Sequence, residues 1–192
     1  MKSAIFLSTL LSGIGLLSLP SMHTAETTHL SAYKVSAAKR TAAGPAAPIR
    51  IIIDKSDYEL SVYDAQGWYA TYPVVFGNNT LADKKMEGDK NTPEGTFKII
   101  AKRPHNKWDR YLALNYPTPE CIQKFNARKQ RGEVPPNARP GSAIGIHGTF
   151  LHEDFVVDRY KNWTDGCISL KRSDVEEIYS YAPVGTQVII RR

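Results

Sequence analysis

From position 48 onwards the chain alternates apolar and polar residues in short runs, separated by glycine, proline and asparagine. This is the pattern of strands joined by turns. "IRIIID" (49–54) reads as a buried strand. In "YELSVYD" (58–64), Tyr58, Leu60 and Val62 alternate with Glu59, Ser61 and Tyr63, as in a half-exposed strand, and the intervening "KSD" predicts a hairpin. "WYATYPVVFG" follows, with Pro73 predicting an edge position or a bulge. A polar, turn-rich loop spans 78–95, and "TFKIIAK" (96–102) and "RYLALNY" (110–116) are the next strands. Residues 118–140 read as an irregular insertion with a short helix around 120–131. "AIGIHG" (143–148) is apolar and ends in glycine, so it predicts a buried strand delivering His147 at its end. One helix is well marked in "SDVEEIYSYAP", with Ser173 as cap and Glu176 completing a capping box. Its apolar face carries Val175, Ile178 and Tyr179, and Pro183 and Gly185 stop it. "TQVIIRR" closes the domain as a strand. The pattern predicts a mainly β fold, a sandwich or barrel with one or two short helices.

The N-terminal pattern differs. Met1 and Lys2 precede a charge-free, Leu/Ile-rich run over 4–19 closed by Pro20, which reads as an export signal. Cleavage after Ala25 is one reading. His23 fits the small-residue rule poorly, so an uncleaved anchor with membrane association is the other. No cysteine follows the run, so it does not read as a lipoprotein signal. Residues 26–47, rich in Ala, Ser, Thr and Pro, read as a flexible linker, and 48–192 as the functional domain. An exported chain is expected in the periplasm or cell envelope. The formal net charge is +6, and removing residues 1–25 takes away one Lys and no acid, leaving +5. The basic residues are scattered, with no run of five, no zinc-finger spacing and no RNA-binding motif, which argues against nucleic acid as partner. The histidines and cysteines show no close metal-ligand spacing, so neither metal nor cofactor is expected.

The chain has two cysteines. Export permits a Cys121–Cys167 disulfide. Against it, Cys121 lies in the irregular insertion, where it reads as a small filler, while Cys167 lies in "TDGCISL" (164–170), between a turn and an apolar strand start. A catalytic reading of Cys167 needs a base, since the thiolate is the nucleophile. His147 ends a predicted buried strand before Gly148, whereas His152 sits in the acidic "FLHEDF" and reads as solvated. A histidine on a buried strand is ordinarily a core residue. Here "IHG" and "DGC" both mark glycine-bearing strand ends, which favours a nucleophile–base pair.

Those residues resemble the L,D-transpeptidase (YkuD-type) family. "IGIHGT…TDGCISL" is similar to its paired motif, His-Gly followed by Ser/Thr-His-Gly-Cys, with 14 residues, 150–163, between the halves. "GDKNTPEGTFKI" looks like the family's Thr-Pro-x-Gly-x-Phe segment, and "LNYP" and "GTQVIIRR" are similar to its later strands. The resemblance covers about 48–192 and implies an L,D-transpeptidase-type β-sandwich or barrel. It implies Cys167 as nucleophile, His147 as proton-transfer partner, and backbone N–H groups of Asp165, Gly166 and Cys167 as an oxyanion hole. Gly148 and Thr149 stand where the family supplies an orienting carbonyl or hydroxyl. Two positions depart from the pattern: Asp165 replaces the family's histidine, and Ser169 replaces an arginine that anchors substrate. Arg172, Arg159 and Lys171 are candidates to replace its charge.

The implied activity is acyl transfer on peptidoglycan stem peptides through a thioester, to an amine-bearing acceptor peptide or protein. Hydrolysis of the same bonds is the near alternative. A non-catalytic wall-binding module, or a scaffold closed by a disulfide, would be a different class.

Overall fold

The structure, a computed structural model, describes residues 38–41 and 43–192. The expected export segment, 1–25, and most of the linker, 26–37, lie outside the described residues. Nine strands form one open sheet: β1 (Ala38–Lys39), β2 (Arg50–Asp54), β3 (Glu59–Asp64), β4 (Gly67–Pro73), β5 (Gly95–His105), β6 (Asp109–Leu114), β7 (Gly145–Gly148), β8 (Ile168–Leu170) and β9 (Gln187–Arg191). Their order is β1-β4-β3-β2-β9-β5-β6-β7-β8. The helices are α1 (Pro119–Gln130), α2 (Phe155–Asp158) and α3 (Arg172–Tyr181). Among the described residues there are therefore three helices rather than one or two. The extra one is the single turn α2, too short to leave a periodic signal. Among the described residues no helix is long and apolar enough to cross a membrane.

The period-2 alternation decides which faces meet. Ile51 and Ile53 of β2, Leu60 and Val62 of β3, and Val188 and Ile190 of β9 point into one core. Strand β5 belongs to both halves of the sheet. Residues 95–98 pair with β9, and from Ile99 onwards the strand pairs with β6, with a register shift between Ile99 and Ala101. That irregularity bends the sheet. β4 ends at Pro73, which has no backbone N–H to continue a ladder. Two residues later, Val75 exchanges both backbone hydrogen bonds with Ser169 of β8, each at 2.9 Å. The far edge of the sheet thus returns towards its beginning, as in a barrel.

Two sequence expectations change. Part of the expected linker is fixed: Ala38 and Lys39 pair with β4, and Arg40 holds Asp64 at 2.6 Å. The capping box at Ser173 does not form. α3 starts at Arg172, its cap position, Lys171, makes no side-chain bond, and Ser173 Oγ donates to Asp174 instead. The backbone N–H of Arg172 is satisfied from outside the helix by Asp154 Oδ1 at 3.1 Å. α3 buries Val175 and Ile178 against the sheet.

The long loop 78–94 is held from inside. Lys55, fully buried, pairs with Glu94 at 2.7 Å and donates to the carbonyls of Ala82 (3.1 Å) and Thr92 (3.3 Å). Asp89 accepts from the N–H groups of Lys85, Met86 and Asn91 and pairs with Lys84 at 2.8 Å. Removing one partner of a buried ion pair leaves the other groups unsatisfied, so Lys55→Ala is expected to lower stability by about 3–5 kcal/mol in urea denaturation. Lys39→Ala, at a solvent-exposed pair with Glu177, should leave it nearly unchanged, because water screens such pairs.

Candidate active site

The site is built on the parallel pair β7–β8. Ile146 is registered with Ile168, His147 with Ser169, and Gly148 with Leu170. Registered residues in a parallel pair project to the same face, and successive residues alternate. Ile146 and Ile168 therefore enter the core, both fully buried. His147, Ser169 and the preceding Cys167 share the opposite face. Cys167 and His147 line one cleft of about 530 Å³, together with Trp108, Phe150, Trp163 and Ala143. Both cysteines are free, and Cys121 sits in the first turn of α1, where its N–H is accepted by Thr118.

His147 is enclosed by aromatic rings. Trp108 stacks on it with centroids 4.4 Å apart, Trp163 meets it edge-on at 5.5 Å, and Tyr111 lies parallel at 6.2 Å. Its Nδ1 is 2.8 Å from the Gly148 carbonyl. A carbonyl only accepts, so in the neutral ring Nδ1 carries the proton and Nε2 holds the lone pair. Gly148 thus holds the ring through its carbonyl. It also has to be glycine for space, because a Cβ there would lie 2.7 Å from the Trp108 carbonyl. Thr149 acts one step removed: its hydroxyl bonds Asp154, the same carboxylate that caps α3, and so fixes the loop after the imidazole.

Burial pushes these two side chains apart in acidity. Desolvation pushes His147 down to about 4, with a smaller push from His105, against the opposing pull of the Gly148 carbonyl. Desolvation pushes Cys167 up to about 11, and Asp165 adds to it, while a backbone hydrogen bond at Gly145 and the charge of Lys84 act the other way. Both shifts favour the uncharged forms, a neutral thiol beside a neutral imidazole. The thiol's hydrogen bond is to the Ala143 carbonyl at 3.6 Å, a carbonyl that also accepts from Tyr111 Oη at 2.9 Å.

The turn before the cysteine is locked by Thr164, which donates to the Cys167 carbonyl at 2.7 Å and accepts from the Gly166 N–H at 3.2 Å. Gly166 has φ +123°, and a Cβ there would lie 2.7 Å from the Asn91 carbonyl. Loop 78–94 thus rests directly on the turn. Because the Gly166 N–H is already engaged, it is not a free oxyanion donor, unlike the expectation for that residue. Ser169 is fully buried beneath the Val75 bridge, and its hydroxyl has no partner among the described residues. The three basic candidates are occupied away from the cleft. Arg172 donates to the Thr149 carbonyl at 3.3 Å and lies 3.6 Å from Asp109, Lys171 pairs with Asp158 at 2.7 Å, and Arg159 covers the Phe155 ring. His152 is exposed.

Sequence reasoning missed the aromatic wall. Trp108, Phe150 and Trp163 come from three separate segments, although two of only three tryptophans in the chain gather here. Trp163 immediately precedes "TDGC", which was the available signal. Among the described residues no three His, Cys, Asp or Glu side chains gather as a metal-binding group.

A family model described as the L,D-transpeptidase catalytic domain (YkuD) matches residues 48–190. Solved structures with a similar fold include the helical cell shape determining protein Pgp2 from Campylobacter jejuni (TM-score 0.54, 22% identity, 75% of this chain and 47% of that one). L,D-transpeptidase 3 from Mycobacterium tuberculosis is similar too (TM-score 0.51, 14% identity, 78% and 62%). The chain thus spans about half the length of the first and about three-fifths of the second. At these identities the likeness is one of fold. No curated protein matches the sequence.

The neutral resting pair has a measurable consequence. Below the thiol's pKa the thiolate fraction rises about tenfold per pH unit. Alkylation of Cys167 by iodoacetamide should therefore climb steadily from pH 6 towards its pKa of about 11, with no acid plateau. A plateau between about pH 5 and 7, as an imidazolium–thiolate pair gives, would contradict the assignment.

Proposed function

The chain belongs to the L,D-transpeptidase catalytic-domain family, and on that premise we propose that it transfers acyl groups on peptidoglycan stem peptides with Cys167 as nucleophile. The observation that carries the reading is the shared cleft: Cys167 and His147 open to one cavity from adjacent parallel strands, and the Nδ1–H to Gly148 bond reserves Nε2 as a base. The thiol turns from the Ala143 carbonyl towards Nε2. Sγ attacks the carbonyl of the diamino acid that precedes a D-residue, and its proton moves to Nε2. The C–N bond breaks, the imidazolium returns the proton to the departing amine, and a thioester remains. An amine acceptor then takes the acyl group and releases the thiol. Water in place of the amine gives hydrolysis.

A base with its pKa near 4 does not hold a proton at pH 7, so thiol deprotonation is coupled to attack rather than completed beforehand. Backbone N–H groups of Asp165 and Cys167 are the proposed donors to the developing oxyanion, a role that counts because the charge grows only in the transition state. The reading of residues 1–25 as an export signal or membrane anchor supports a proposed location in the periplasm or cell envelope.

The test is incubation with purified sacculi, followed by mass spectrometry of the released muropeptides. Stem dimers absent from a Cys167→Ala control mean transfer, and shortened stems mean hydrolysis. His147→Gln should reduce either product by about 100- to 10,000-fold, the range for loss of a general base. A profile identical to that of the Cys167→Ala protein would remove the proposal.

A further inference from the structure

We infer that Asp165, with Lys90, recognises the zwitterionic end of a diamino-acid side chain on the stem peptide. The inference deepens the function proposed above and rests on it. A second cleft of about 350 Å³ lies beside the thiol cleft, and the two share Ser142, Ile144 and Asp165 as a common wall. A chain held with its reacting carbonyl at Cys167 therefore reaches the second cleft past Asp165. The two clefts differ in chemistry. The first is lined by tryptophan and phenylalanine. The second carries Lys84, Glu87, Lys90 and Asp165, so it offers both signs of charge within one small volume.

The charges in this cleft fall into two kinds. Lys84 is buried and committed to Asp89 at 2.8 Å, so it belongs to the loop's framework. Lys90 and Asp165 are different. Their ions lie 3.7 Å apart, with the side chains 61% and 90% exposed. An exposed ion pair of that kind contributes little to stability, so a substrate can replace each partner at small cost. The bases of the two side chains are nonetheless fixed relative to each other. Lys90 has φ +58° and lies between Asp89, which anchors the loop, and Asn91, whose carbonyl abuts Gly166. A backbone held in that sparsely populated region is a feature of functional loops.

An ammonium and a carboxylate on one carbon present opposite charges close together. The ammonium meets Asp165 and the carboxylate meets Lys90, each ion exchanging its protein partner for a ligand one. Asp165 thus has a use at the position where the family motif carries histidine. The carboxylate that raises the thiol's pKa is in this account retained for what it binds.

Binding to the Cys167→Ala protein tests this without requiring turnover. The probes are three synthetic tetrapeptides, Ala-γ-D-Glu-X-D-Ala, with X as diaminopimelate, lysine or Nε-acetyllysine, measured by calorimetry. The expected order of affinity is diaminopimelate, then lysine, then acetyllysine, with about five- to tenfold between the first and last, as for solvent-accessible charge pairs. Adding Asp165→Asn should bring the lysine and acetyllysine peptides to equal affinity. Adding Lys90→Met should instead remove the advantage of diaminopimelate over lysine. Raising salt to about 0.5 M should shrink every preference. Equal binding of all three peptides, or preferences that survive both substitutions, would overturn the inference. If the charge preference appears while the cysteine-containing protein turns over none of the peptides, the cleft assignment stands and the catalytic proposal falls.

Discussion

Parallel strands project registered side chains to one side of the sheet, and three registered pairs between β7 and β8 decide where His147 and Cys167 lie. With Ile146 opposite Ile168 in the core, His147 and Cys167 emerge together on the other face. A slip of one residue would turn one of the two into the apolar core and an isoleucine towards the cleft. Several contacts resist that slip. Val75 exchanges two hydrogen bonds with Ser169, β6 pairs with β7 through Tyr111 and His147, and α3 packs over Gly148 through Val175. The register is a property of the whole sheet, expressed at two side chains.

Burial has two effects in this cleft. Stacked and edge-on aromatic rings fix the imidazole in one orientation, and the same rings exclude water. Loss of solvation disfavours an imidazolium and a thiolate alike, which keeps the resting pair neutral. The Gly148 carbonyl settles which nitrogen of the ring carries the proton. Positioning residues then form a second tier. Asp154 joins the Thr149 hydroxyl to the N-terminus of α3, and Arg172 braces the Thr149 carbonyl and Asp109. Loop 78–94, tied down by the buried Lys55 ammonium, presses the Asn91 carbonyl against Gly166 and so supports the turn that carries the cysteine.

Much of this was legible in the sequence, for identifiable reasons. Strand alternation in 58–64 and the apolar run ending in "IHG" are local signals, and the structure keeps them. The two glycine-marked strand ends were enough to single out His147 and Cys167. The features that were not legible depend on distant partners. The capping box at Ser173 looked complete, but a carboxylate 18 residues upstream in sequence satisfies the helix start instead. Ser169 read as a substrate-facing position, but the Val75 bridge lies over it. Arg172, Lys171 and Arg159 looked like free cations, and each has an acidic, carbonyl or aromatic partner that spacing alone does not reveal. The aromatic wall comes from three segments with no common period.

In the proposed reaction the sulfur of Cys167 becomes covalently acylated. Mass spectrometry of the intact protein, quenched in acid during turnover of a stem tetrapeptide, reads this directly. The expected result is a mass increase equal to the tripeptide acyl group, located on Cys167, released by hydroxylamine and absent from the Cys167→Ala protein. Product formation by the Cys167→Ala protein, or turnover by the cysteine form with the label on another residue, would contradict it.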